Sequence, residues 1–128
     1  MKLLMLDGRT INVNVDQSRF PLRGEKSRSK LQNDVGIALF NRFSFHTILE
    51  EFPVAGTQLS IDFFIPGVMI AIEADGEQHR KFSKFFHGTI QNFKKQQERD
   101  ARKQKWCDMN DITLIRCSSA DDLLEKIR

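Results

Sequence analysis

The stretch Leu59-Ser60-Ile61-Asp62-Phe63-Phe64-Ile65-Pro66-Gly67-Val68-Met69-Ile70-Ala71-Ile72-Glu73-Ala74-Asp75-Gly76-Glu77-Gln78-His79 decides the fold. Two apolar runs flank Pro66-Gly67, a dipeptide that reads as a hairpin turn. The second run, Val68 to Ile72, is continuously apolar, as a central strand buried on both faces requires. With Pro66-Gly67 as a two-residue turn, Ile65 pairs with Val68 and Asp62 lies opposite Ala71. Side chains alternate along strands, so Asp62 shares a face with Ala71, Glu73 and Asp75. Asp62 and Glu73 are then diagonal neighbours, roughly 7–8 Å apart at the backbone.

Three acids on one face of an apolar hairpin need a reason. Unpaired carboxylates inside a sheet repel one another and lose hydration, at a cost of several kcal/mol each. A divalent cation removes that cost. Mg²⁺ takes one or two carboxylates plus waters and phosphate oxygens, and it can activate a water for attack on a phosphate. The competing reading is a frayed strand end, with Glu73 and Asp75 solvated and paired to nearby arginines and lysines.

Outward from this hairpin the elements follow in order. Residues 1–16 read as a small hairpin, Leu3 to Leu6 and Thr10 to Val15 around Asp7-Gly8. Residues 17–28 are polar, with Pro21 and Gly24, and read as a mobile connector. Ser29 starts a helix, with Gln32 as the capping-box partner and Leu31, Val35, Ala38, Leu39 and Phe43 as its apolar face. Strands are expected over 47–54, 58–65 and 68–75, a long helix over 90–109, and a strand over 112–116. Ser119 caps a final helix that runs to Lys126. The order predicts an α/β sandwich around one central mixed four-stranded sheet flanked by helices, with a small N-terminal β-hairpin.

At 128 residues, 40% hydrophobic and 29% charged, the chain reads as one globular domain. Cys107 and Cys117 have no CxxC spacing, so a reducing compartment is the default. The apolar opening from Met1 meets Asp7 at once, too soon for a signal peptide, and no later run suits a bilayer. His79, His87 and the two cysteines lack zinc spacing, and Trp106 is a core candidate. Phe82, Phe85 and Phe86, interleaved with Lys81 and Lys84, pack on the core or stack on bases.

Charge is uneven. Between Gln78 and Trp106 nine cations face two anions, leaving +7, while the whole chain carries only +3. Such a patch suits a polyphosphate partner, or it is a solvated helix face. On the long helix, Ile90, Phe93, Gln97, Asp100, Gln104 and Cys107 share one face by spacing. With that face on the sheet, Gln97 and Asp100 point toward the acids.

Asp62, ten intervening residues and then Glu73-x-Asp75 resembles the PD-(D/E)XK nuclease superfamily. The run Glu73-Ala74-Asp75-Gly76-Glu77-Gln78-His79 is similar to the E-x-D-G-x-x-H signature of its very-short-patch-repair branch, which includes phage-type homing and nicking endonucleases. Residues 97–103 and 112–116 are similar to that branch's helix and last strand, so the likeness covers roughly residues 29–117. It implies a restriction-endonuclease-like core over 29–128, in a single nuclease-like domain with hairpin 1–16 and connector 17–28. It implies Asp62, Glu73 and the Ala74 carbonyl as ligands of Mg²⁺ (or Mn²⁺), with Asp75 and His79 completing the site.

The superfamily has a lysine where Asp75 stands. His79 could serve as general base, and Lys103 or Lys95 could supply the missing cation. Arg80, Lys81, Lys94, Lys95, Arg99 and Arg102 would hold a DNA backbone. Gln32, where the family carries a glutamate, either supports the site or only completes the cap. One of Glu50 and Glu51 points inward, and Gln97 and Asp100 are further supporting candidates. The implied protein is a cytoplasmic DNA endonuclease of a prokaryotic or phage-infected cell, possible as a homodimer, since one site cuts one strand. The alternative is a nucleic-acid-binding subunit on the same scaffold that does not cut.

Overall fold

A computed structural model describes residues 1–75 and 88–128. Among these residues the order is β1 (Lys2–Leu4), β2 (Thr10–Asn12), a 3₁₀ turn (Gly24–Lys26), α1 (Lys30–Arg42), β3 (Leu49–Pro53), β4 (Ser60–Ile65), β5 (Ile70–Ala74), α2 (Ile90–Met109), β6 (Thr113–Cys117) and α3 (Ala120–Lys126). The fold is α/β. A four-stranded sheet has order β3-β4-β5-β6, and β1 and β2 form a separate two-stranded hairpin. The first two pairings are antiparallel and β5–β6 is parallel, which makes the sheet mixed. A parallel pair needs a crossover, and α2 lies in the connection between β5 and β6.

The helix starts are set by side-chain caps. Ser29, Thr89 and Ser119 each accept a bond from the backbone N–H three residues on, at 3.0, 3.1 and 3.0 Å, which satisfies donors left open in the first turn. Gln32 does not close the capping box, because its side-chain amide is engaged on the sheet instead.

Alternation divides the sheet into two faces. Phe63, Ile65 and Ile72 pack under α1 and α3 with Val35, Leu39 and Leu123. Phe64 and Ala71 face the other way, toward Trp106 and Cys107 of α2 and Leu3 of the hairpin. Gly36 lets α1 approach closely, since a Cβ there would stand 3.1 Å from the Phe63 ring. Asn110 fastens the hairpin to the end of α2: it accepts from Leu4 N–H at 2.6 Å and donates to Leu4 O at 3.0 Å. Trp106 is buried core, as its sequence reading expects.

Two expectations fail here. The β4–β5 register is Phe63↔Ile72, Phe64↔Ala71 and Ile65↔Ile70, so Asp62 is not opposite Ala71. Four residues, 66–69, make the turn, and Met69 takes a left-handed conformation (φ 53°) to close it. The segment 17–28 is not a free connector either. Phe20 stacks edge-on against Phe52 with centroids 5.4 Å apart, and its carbonyl accepts from Glu50 N–H at 3.0 Å.

Glu50 is the reason. Its carboxylate is 2% exposed. It accepts from Arg23 N–H, Ser27 Oγ and Gln32 Nε2, each at 2.7 Å. One buried acid thereby ties residues 23–27 and α1 to the edge strand. Glu50→Ala takes the acceptor from three donors, two of them only part-buried, and a donor left unsatisfied costs up to about 1–3 kcal/mol. We expect Glu50→Ala to lower stability by about 3 kcal/mol in urea unfolding; a loss below about 1 kcal/mol would show that water replaces the carboxylate.

Candidate functional site

Continuing the β4–β5 register places Asp62 directly opposite Glu73. The two acids are direct cross-strand neighbours, closer than the diagonal relation expected from a two-residue turn. The apolar ladder stops at Phe63 and Ile72, and the acids take over its bonds. Asp62 N–H donates to Glu73 Oε2 at 2.9 Å, and Ala74 N–H donates to Asp62 Oδ2 at 2.8 Å. Both side chains point to the face covered by α2.

Both acids are sheltered, Glu73 at 2% and Asp62 at 8% exposure. Burial, then the charge of Glu73, pushes the Asp62 carboxyl up to about 8; the Ala74 N–H and Lys103 oppose this. Lys103 reaches in from α2, and its Nζ donates to Glu73 Oε1 at 2.5 Å. Among the alternatives for a missing cation, Lys103 is the one placed at the acids, and Lys95 is exposed.

Asp75, one residue past the end of β5, is buried as well and is paired with an arginine. Its N–H donates to Cys117 O at 2.8 Å, and its Oδ2 accepts from Arg116 Nη1 at 2.8 Å. Arg116 stands opposite Glu73 in the parallel register. It also donates to Asp100 O at 3.1 Å and lies 3.6 Å from Asp100 Oδ1. Burial works against the Arg116 charge, but the Asp75 and Asp100 carboxylates hold its pKa above the ordinary value. Arg116 thereby links the strand that carries Glu73 to the helix that carries Lys103.

The inward face of α2 differs from the expected one. Gln96, Asp100, Lys103, Trp106 and Cys107 turn inward; Ile90, Gln97 and Gln104 are exposed. Ile90 sits at the helix start, where it does not report the phase. Gln97 therefore does not support the acids, whereas Asp100 acts through Arg116. Burial pushes the Cys107 and Cys117 thiols up to about 12, so neither is a nucleophile near neutral pH.

Glu51 lies next to the row, one strand over, with a left-handed backbone (φ 54°). Its Oε1 accepts from Gln32 Nε2 at 3.0 Å and its Oε2 from Ser60 Oγ at 2.8 Å. Gln32 thus bridges Glu50 and Glu51, and through Glu51 it is linked to Ser60 of β4. Lys94, Lys95, Arg99 and Arg102 are all exposed on α2. His79, Arg80 and Lys81 lie outside the described residues, as do Phe82, Lys84, Phe85, Phe86 and His87.

A divalent cation is compatible with the donor set in part. The Ala74 N–H takes Asp62 Oδ2, so Oδ1 is the natural ligand atom. Glu73 is already neutralised by Lys103. Among the described residues no three of His, Cys, Asp and Glu come together as a metal-holding group, so a hard cation here would rely on two carboxylates, the Ala74 carbonyl and oxygens from water or substrate.

No family model matches the chain, and no solved structure matches it. Over 63 residues it is 38% identical to "Uncharacterized protein 033L" of Invertebrate iridescent virus 3, covering 49% of this chain and 32% of that one. Over 57 residues it is 40% identical to "Uncharacterized protein 307L" of Invertebrate iridescent virus 6, covering 44% and 29%. The chain spans about a third of the length of these relatives. No helix among the described residues is long and apolar enough to cross a membrane.

Proposed function

We propose that this chain is a divalent-metal-dependent endonuclease that hydrolyses phosphodiester bonds, most simply in DNA, on a restriction-endonuclease-like core. One observation carries the reading: Asp62 and Glu73 face each other across two central strands, buried, with the Lys103 ammonium against one of them. A fold does not maintain two adjacent buried acids for stability, because apolar side chains of similar volume serve at least as well.

The residues divide the work. Asp62 and Glu73 would hold the cation, with the Ala74 carbonyl beside them. When bound, a cation of this kind neutralises phosphate charge and acidifies a water. The Ala74 N–H holds Asp62 Oδ2, which leaves Oδ1 for the cation. Lys103 presents a proton donor and a positive charge beside Glu73, where a scissile phosphate would lie. Arg116 keeps Asp75 and Asp100 paired and so holds α2, with Lys103, at its distance from the sheet. The exposed cations Lys94, Lys95, Arg99 and Arg102 position the polyphosphate without reading its sequence.

A second reading has its own observation. Lys103 balances Glu73 and a protonated Asp62 needs no counter-ion, so the acids are neutral without metal. That suits a nucleic-acid-binding subunit that does not cut. Supercoiled plasmid and single-stranded DNA, each with Mg²⁺, Mn²⁺ or EDTA, separate the two. We expect metal-dependent nicking or cutting that Glu73→Ala removes while DNA binding persists. Salt-sensitive binding without cleavage in any metal would leave the binding subunit standing instead.

A further inference from the structure

The outer face of α1 and α3 lies across the sheet from the acids and from the basic face of α2. A groove of ≈ 420 Å³ runs between these helices, lined by Asp34, Ile37, Ala38, Arg42, Ala120 and Leu124 among others. Its walls are apolar and open to solvent: Ile37 is 54% exposed and Leu124 41%. Large aliphatic side chains grouped on one exposed face mark an interaction surface more often than scattered ones do.

The charges on this face identify the occupant. Asp34, Ala38 and Arg42 follow one another at four-residue spacing, so they form a single ridge along α1. The acid and the base are equidistant from Ala38, about 6 Å to either side at 1.5 Å per residue. A two-fold axis through Ala38 runs the same helix of a second copy antiparallel to this one. Asp34 of each copy then meets Arg42 of the other, and the smallest side chain sits where the helices cross. We propose that a second copy of this chain docks here, forming an isologous dimer through α1 and the groove beside it.

The proposal follows from self-complementarity, which an isologous interface requires. The α2 face fails that requirement, because Lys94, Lys95, Arg99 and Arg102 would oppose their own copies. Within one copy Asp34 lies 3.6 Å from Lys30, a pair in which Lys30 is 91% exposed. Such a pair contributes little and yields readily to a bidentate arginine. Docking through α1 leaves Asp62, Glu73 and α2 open on both copies, so it does not depend on the nuclease reading.

Sedimentation of the full chain over a range of concentrations, with charge-swapped variants, tests this. Wild type should dimerise. Asp34→Arg and Arg42→Asp should each weaken the dimer on the order of a hundredfold, since each sets two like-charge pairs against each other. Mixing the two variants, or combining both changes in one chain, should restore it. Ala38→Cys should form a disulfide-linked dimer on mild oxidation, because the axis brings residue 38 against itself; the native cysteines are buried and free. A chain that stays monomeric at every concentration overturns the proposal. So does a dimer that ignores the charge swaps and leaves Ala38→Cys uncrosslinked, which would place the contact on another face.

Discussion

Asp62→Asn should make the metal-free protein more stable at pH 8 while removing the proposed nuclease activity. The stability half follows from the proton balance. Folded Asp62 holds its proton to about 8, whereas the ordinary carboxyl releases it near 3.8. Between those values the folded state binds more protons than the unfolded state, so stability falls as pH rises from about 4 to about 8. Asparagine has nearly the same volume, still accepts from the Ala74 N–H and cannot ionise. Each unit of raised pKa is worth about 1.4 kcal/mol, so even a fraction of the shift gives a gain above about 1 kcal/mol at pH 8 and none near pH 4.

Urea midpoints of both proteins across pH 4–8 in EDTA would show this as a sloping line for wild type and a flatter one for the variant. The activity half follows from the proposed site. Loss of a charged ligand removes several kcal/mol of transition-state stabilisation, or on the order of 10³ in rate. A variant that is stabilised yet inactive is the pattern expected where strain serves function. Parallel slopes would mean that Asp62 ionises normally in the fold, and retained cleavage would remove it from the site.

The elements were legible in the sequence wherever a local signal sufficed. Thr89 and Met109 bound α2 where the periodic run from Ile90 implies, and Ser119 starts α3, because caps act within one turn. The apolar run ending at Ile72 marks β5 as central for the same reason. Register was not legible. Pro66-Gly67 satisfies a two-residue turn on its own, and the four-residue turn shifts the pairing by two residues, which keeps every side chain on its face, so the alternation pattern does not tell the two registers apart. The inward face of α2 was legible in part: Phe93, Asp100 and Cys107 turn inward as expected, but the exposed Ile90 looked like an anchor, while Lys103 hides an apolar stem behind a charged tip. Glu50 and Arg116 were invisible as organisers. Their partners Arg23, Ser27, Asp75 and Asp100 are 16 to 41 positions away, and no local pattern signals a contact of that length.

Lys103→Met tests whether the acids serve a metal or only a lysine. Methionine keeps the length of the stem and removes the charge, which leaves Glu73 buried with no counter-ion. Breaking a buried pair from one side costs about 3–5 kcal/mol, so in EDTA the variant should unfold at distinctly lower urea. A divalent cation binds only the folded site and stabilises it by mass action. In wild type that ion competes with the ammonium for Glu73; in Lys103→Met it does not. Millimolar Mg²⁺ or Mn²⁺ should therefore raise the melting temperature of the variant more than that of wild type. The double variant Lys103→Met, Glu73→Gln controls for packing: with neither partner of the pair charged, it should regain most of the lost stability and lose its response to metal. A large loss in EDTA with no rescue by either ion would assign Lys103 as the permanent counter-ion of Glu73 and favour the non-cleaving subunit. A loss below about 1 kcal/mol would mean that Glu73 takes up a proton or water in place of the lysine, as isolated buried carboxylates do.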